Sequence, residues 1–246
     1  MNTIINFTQE IRSFSKNNWW IYIIYLIMLS LIYQFRNSEL LSVYIVSSLH
    51  FCADIFIMMM LAAYTRKDYR DGAYFQLVSF LLFLSIKIYT GLSVGAWHYL
   101  LADPLYALAA LKNYFKDVKN INLGFINTKS MIVLSLAILI LLASMKNMNG
   151  ERMMATPAEC IQTLGIFLFA IALSTTTNEH LRHHLSMIAL AAMVIGSGWQ
   201  LADCWQDPQR RIVGLDISYF LLPSTVLTYY IRQTPFIRKR VPQKSF

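Results

Sequence analysis

Charge is what this sequence has least of. Only 14% of its 246 residues are Asp, Glu, Lys or Arg, against about 25% in a soluble domain. So little polar side chain cannot clothe a water-facing surface, which excludes an ordinary soluble globule. Cysteine is scarce as well. Cys52, Cys160 and Cys204 are odd in number, lack CxxC spacing and form no disulfide framework, so they read as small core residues. The opening stretch MNTIINFTQEIRSFSKNN lacks an apolar run before a small-residue cleavage site, so no cleavable signal is expected there. The basic tail IRKRVPQKSF lacks an accompanying aromatic-interleaved basic surface. That argues against nucleic acid and for a topology anchor that meets anionic lipid headgroups. Five histidines in the whole chain are too few for the several histidine boxes of a membrane di-iron site.

What is present is apolar. Hydrophobic residues make up 57% of the chain, and several runs reach the roughly 17–25 residues that cross a bilayer core. An all-α polytopic membrane protein is expected, because lipid offers the backbone no partners outside its own helix. Eight transmembrane helices are predicted, at about 19–35, 41–64, 73–91, 94–114, 130–145, 157–176, 185–204 and 212–231. Thr156-Pro157-Ala158-Glu159 is a capping-box pattern with proline in the first helical position, and it marks the start of the sixth. With eight crossings, fifteen of the 21 Lys and Arg fall on the side of the two termini and five on the other, with Lys87 inside a span. The positive-inside rule then places both termini in the cytoplasm. A bacterial inner membrane is the expected location.

The chain reads as written twice. Asp103 and Tyr106 in LADPLYALAA are answered by Asp216 and Tyr219 in GLDISYFLLP, each 113 residues later. The second span ends in the charged loop YTRKDYRDG and the sixth in the polar loop TTTNEHLRHH. About twenty apolar residues follow each loop, then a short connection and a helix with Asp-x-x-Tyr that ends at aromatics and base, KNYFK or TYYIR. Spans two to four therefore resemble spans six to eight as parallel three-helix repeats. The fifth, MIVLSLAILILLASM, has no ionisable or aromatic residue and serves as a lipid-facing linker. The expected organisation is residues 1–40 as N-terminus and extra helix, 41–115 as first bundle, 116–150 as loop and linker helix, 151–233 as second bundle and 234–246 as basic tail.

This order of bundle, linker helix and bundle resembles the PnuC vitamin-precursor transporters and the SWEET sugar facilitators. The pattern RKDYRDGAYFQLVSFLLFLSIKIYTG…DPLYALAALKNYF is similar to PnuC and to YgjV-type bacterial inner-membrane proteins. The resemblance covers about Leu41 to Gln233. It implies facilitated diffusion of a small polar solute, of the vitamin-precursor, nucleoside or sugar class, through a central site between the bundles.

Polar groups inside the spans are the candidate site. A charge at mid-bilayer costs at least about 2.5–3.5 kcal/mol, so such groups face the bundle interior or a cavity. His50 and Asp54 share a helical face by i, i+4 spacing. With Lys87, Asp103 and Asp216 they form a polar lining, to which Gln200 adds in the second half. Tyr106, Tyr219 and Trp199 offer ring faces to a solute. Pairing of Lys87 with Asp54 or Asp103 is the structural alternative. For Trp97, Tyr99 and Trp205, near the outer interface, it is an aromatic belt. Pro104 and Pro223 are expected to interrupt their helices.

No catalytic residue, metal or cofactor is assigned, and the chain is expected not to be an enzyme. Its partners are the small polar solute and the lipid bilayer, with a homo-oligomer left open. Two other function classes compete. One is a ceramidase-like intramembrane zinc hydrolase using His50, His180 and His184, although Val46 stands where that family's S-x-x-x-H motif needs serine. The other is a non-catalytic subunit of a membrane complex. The histidines of NEHLRHHLSM otherwise read as a headgroup-facing loop.

Overall fold

The computed structural model describes residues 2–34, 40–94, 104–144, 156–174, 178–206 and 214–233. These form nine α-helices, and no strand occurs among the described residues: α1 (Asn2–Asn17), α2 (Trp19–Gln34), α3 (Leu40–Thr65), α4 (Tyr69–Val94), α5 (Pro104–Asp117), α6 (Thr128–Ser144), α7 (Pro157–Ser174), α8 (Glu179–Gln206) and α9 (Gly214–Gln233). At 1.5 Å per residue, α3, α4 and α8 each run about 40 Å, beyond the ~30 Å hydrocarbon core of a bilayer. Four described segments are long and apolar enough to cross a membrane: Val43–Thr65, Tyr69–Tyr89, Pro157–Ser174 and Glu179–Gln206. Helices α2 and α6 are apolar but shorter. Such helices are compatible with an integral membrane protein.

Short-range chemistry sets several helix ends. At α7 the capping box forms in full. The Thr156 N–H donates to Glu159 Oε2 at 2.9 Å, and the Glu159 N–H donates to Thr156 Oγ1 at 3.3 Å. At α6, Asn127 and Ser130 exchange equivalent bonds, both at 3.0 Å. Asn178 caps α8 by accepting from the Leu181 N–H. Helix α3 stops where Lys67 enters the left-handed region (φ 67°) and the Asp68 N–H turns back to the Ala63 carbonyl.

The helices pack in a closed ring. Helix α3 lies on α4, α4 on α5, α5 on α7, α7 on α8, α8 on α9, and α9 returns to α3. Outside the ring, α2 rests on α9 and α3, and α6 rests on α7 and α5. The core lies between these elements, with Met58, Met60, Leu105, Phe167 and Leu173 almost wholly enclosed. The outward faces of α2 and α6 are apolar, with Leu26 61%, Val133 66% and Ile140 71% exposed, which suits a lipid solvent. Small residues bring α7 and α8 close. A Cβ on Gly165 would meet the Ala189 carbonyl and the Met193 N–H at 2.9 Å, and one on Gly196 would lie 2.7–2.8 Å from the backbone of Gln162 and Ala158.

One end of the bundle gathers the basic residues. There the α3–α4 turn (Arg66, Lys67) meets α1 through Glu10 at 3.4 Å and the start of α8 through Glu179 at 3.7 Å. The end of α9 meets α2 through Arg232 over the Trp20 ring at 4.9 Å. The end of α5 meets the end of α7 through Lys112, whose Nζ donates to the Ser174 carbonyl.

The fold departs from the sequence reading in two places. The N-terminal stretch, expected as a mixed polar lead-in, is helix α1, whose Phe14 ring lies 5.6 Å from Tyr229. Ile4, Phe7, Ile11 and Phe14 recur at helical spacing, a period hidden by the segment's polar average. The stretch NEHLRHH, read as a loop, forms the opening turns of α8, which runs from Glu179. Pro104 is the first described residue of α5, so its expected interruption falls at the edge of the described residues. Pro223 does lie inside α9.

Because backbone flanks both sites, Gly165→Ala and Gly196→Ala should each lower stability by about 1–3 kcal/mol through overpacking. Gly124→Ala, whose Cβ meets nothing within 4 Å, should not. Thermal unfolding in detergent measures the difference, and equal melting temperatures for all three would contradict the close α7–α8 contact.

Candidate functional site

A cavity of about 120 Å³ lies at the centre of the ring. All six ring helices line it. Helix α3 contributes His50, Asp54 and Ile57, α4 contributes Phe83 and Lys87, and α5 contributes Tyr106. From the other half come Gln162, Ile166 and Phe169 of α7, Leu190 and Met193 of α8, and Ser218, Tyr219, Leu222, Pro223 and Val226 of α9. The wall is mainly apolar and aromatic with a few polar groups, the usual make-up of a small-molecule site.

His50 and Asp54 are each at least nine-tenths buried. Their i, i+4 spacing on α3 turns both towards the cavity. The His50 ring is held edge-on between Phe83 at 5.6 Å and Tyr219 at 5.3 Å. Those contacts leave its Nε2 buried with no hydrogen-bond partner. Asp54 makes no ion pair among the described residues. The ion pairs there are Arg66 with Glu10 and Asp68, and Lys67 with Glu179, all at the basic end. The expected alternative pairing of Asp54 with Lys87 is therefore absent from the fold.

Tyr106 forms the cavity's boundary towards the basic end. Its hydroxyl lies 2.5 Å from Ser79 Oγ, and its ring stacks parallel to Phe169 across the α5–α7 seam at 6.4 Å. Pro223 cannot supply the helical N–H that the Tyr219 carbonyl would otherwise receive, so the α9 backbone is altered where it borders the cavity.

Of the nine expected site residues, five line one cavity: His50, Asp54, Lys87, Tyr106 and Tyr219. Trp199 and Gln200 do not. Met193 faces the cavity, and six residues on, at about 100° each, Trp199 points away from it and is 46% exposed. Gln200 returns to the Met193 side but lies about 10 Å farther along the helix, beyond the cavity. Asp103 lies outside the described residues, as do Trp97 and Tyr99. Asp216 belongs to α9, but its side chain is not among those described. Sequence reasoning missed Gln162, Phe83 and Phe169. Gln162 lies on α7 with Ile166 and Phe169 at positions i, i+4 and i+7, the only local sign that they share a face.

The histidines of α8 are separate from this site. His180 and His184 share a helical face, with rings stacked at 4.9 Å and Nδ1 atoms 3.3 Å apart. Both are exposed at the basic end. The fifteen residues from His50 to the end of α3 span about 22 Å, so the three histidines of the zinc alternative are not gathered together. Among the described residues, no group of three His, Cys, Asp or Glu could hold a metal ion.

No protein-family model matches the chain, and neither a curated protein nor a solved structure matches it.

Asp54 gives a direct check on the site. A carboxyl kept for ligand contact rather than for fold should be replaceable by an apolar group without loss of stability. Asp54→Leu should leave the melting temperature unchanged or raise stability by about 1 kcal/mol. A fall of more than about 1 kcal/mol would mean that the carboxyl holds the bundle together.

Proposed function

We propose that the protein is a membrane transporter or facilitator that passes a small polar solute through the centre of the helix ring. The observation that carries this reading is the cavity. It is lined by all six ring helices and holds two buried polar groups: His50, whose Nε2 has no hydrogen-bond partner, and Asp54, which makes no ion pair among the described residues. Buried polar groups without partners are costly, and a passing solute supplies what they lack. The volume suits a single ring, since an engineered cavity of about 150 Å³ holds benzene. Asp54 accepts hydrogen bonds from the solute, His50 donates or accepts, and Tyr106, Tyr219, Phe83 and Phe169 flank its faces.

The packing supports a duplicated pathway. Exchanging α3, α4 and α5 for α7, α8 and α9 leaves the order of contacts unchanged, because α5 meets α7 as α9 meets α3. The lining agrees, since Gln162, Ile166 and Phe169 each stand 112 residues after His50, Asp54 and Ile57. The same exchange relates α2 to α6, each resting on the ends of the two halves in the same manner. On this reading the repeated unit is four helices, and α6 is the counterpart of α2 rather than a solitary linker. Eight crossings, α2 to α9, account for the gathering of Arg66, Lys67, Lys112, Arg182 and Arg232 at one end. We take that end as cytoplasmic, in the bacterial inner membrane. The likeness to PnuC and SWEET transporters belongs to this same reading.

The test is uptake into proteoliposomes of radiolabelled glucose, uridine and nicotinamide, one from each solute class. At least one should enter faster than into empty vesicles, with the single-ring compounds ahead of the two-ring nucleoside. Asp54→Leu should cut that uptake at least 10-fold. Uptake equal to that of empty vesicles for every solute would contradict the proposal.

A further inference from the structure

One polar layer lies between the cavity and the basic end, and the layer is unevenly satisfied. Asn113 on α5 lies two helical turns beyond Tyr106 and is 1% exposed, and Gln76 on α4 lies three residues before Ser79 and is fully enclosed. Asn113 Nδ2 donates to Gln76 Oε1 at 2.8 Å, to the Leu173 carbonyl of α7 at 2.9 Å and to the Tyr64 hydroxyl of α3 at 3.2 Å. Tyr64 itself donates to Gln76 Oε1 at 2.8 Å. One side chain thus ties α5 to three other ring helices. Ser79 links this layer to the cavity, because its Oγ donates to the Gln76 carbonyl and touches the Tyr106 hydroxyl.

These contacts fix both amides. Asn113 presents its nitrogen to two carbonyl oxygens, and Gln76 presents its oxygen to two donors. Turning either amide over would set like against like. The remaining half of each is then left over, and it is buried: Gln76 Nε2, a donor, and Asn113 Oδ1, an acceptor, have no partner. Buried amides are nearly always paired. A donor and an acceptor on adjoining side chains match a group that is itself both acceptor and donor, such as a hydroxyl or a carboxamide. Beyond them lies Arg182, 5% exposed, with its guanidinium 4.7 Å above the Tyr64 ring.

We propose that Gln76 and Asn113 form a second solute station between the cavity and the basic end. It takes a neutral hydroxyl or carboxamide group, and Asn113 is the side chain that yields to let the solute pass. This rests on the transport reading of the cavity and adds the chemistry of its exit. A solute leaving the cavity exchanges contacts with His50 and Asp54 for contacts with Gln76 and Asn113. The hydrogen bonds of Asn113 to Tyr64 and Leu173 re-form behind it.

Two measurements test the proposal, and the first needs no solute. In a chain with Cys52, Cys160 and Cys204 replaced by serine, Ser79→Cys is exposed to a membrane-impermeant maleimide from the basic end. With Asn113 in place, labelling should be at least 10-fold slower than with Asn113→Ala added. Equal rates would overturn the sealing role whatever the protein transports. The second measurement takes whichever of glucose, uridine or nicotinamide enters fastest. Asn113→Leu and Gln76→Leu should cut its flux at least 10-fold while its Kd at the cavity stays within threefold. Asn113→Ser, which keeps a hydroxyl, should retain at least a third of the flux. Unchanged flux, or flux and affinity falling together, would overturn the station and leave the transport reading standing. No flux in the wild-type protein would count against the transport reading, and the station would fall with it.

Discussion

Burying a polar group inside an apolar helix ring is costly, and this protein meets that cost in two different ways. In the layer towards the basic end, Tyr64, Gln76, Asn113 and Lys112 bond to one another and to the end of α7, while Gln76 Nε2 and Asn113 Oδ1 are left over. In the central cavity, His50 Nε2 has no hydrogen-bond partner, and Asp54 makes no ion pair among the described residues. The first arrangement locks helices together. The second leaves chemistry available to something that comes and goes. An apolar ring with all its polar groups paired would be only a stable bundle.

The ring gives the contrast its geometry. Six helices close on themselves without a central helix, so the axis holds side chains rather than backbone. Close approach of α7 and α8 through Gly165 and Gly196 pulls the second half tight, whereas α3 carries the ionisable pair. Positions 112 residues apart on α3 and α7 line the cavity with different chemistry. His50 and Asp54 on one side answer Gln162 and Ile166 on the other. A lining that differs from one side to the other can hold an asymmetric solute in one orientation.

What is legible in the sequence is local. The capping box at Thr156 and Glu159 was legible because both of its bonds span only three residues. The pairing of His50 with Asp54 on one face was legible because helical spacing dictates it. The apolar runs gave helix positions. Trp199 was misjudged because composition marks a residue as a ring donor without telling which way its helix is turned. Helix α1 was missed because its apolar residues are few and only their period reveals them. Asn113 and Gln76 carry no mark of their role in the sequence. Uncharged amides near helix ends look ordinary, and their importance comes from contacts with residues 37 to 60 positions away.

The most direct measurement is an experimental density map of the protein in a lipid nanodisc with a saturating transported solute. The account predicts solute density in the central cavity, within hydrogen-bond distance of Asp54 or His50 on α3 and facing Gln162 on α7. A map in which the solute sits elsewhere, with Asp54 turned away to a protein partner and the cavity collapsed, would contradict it.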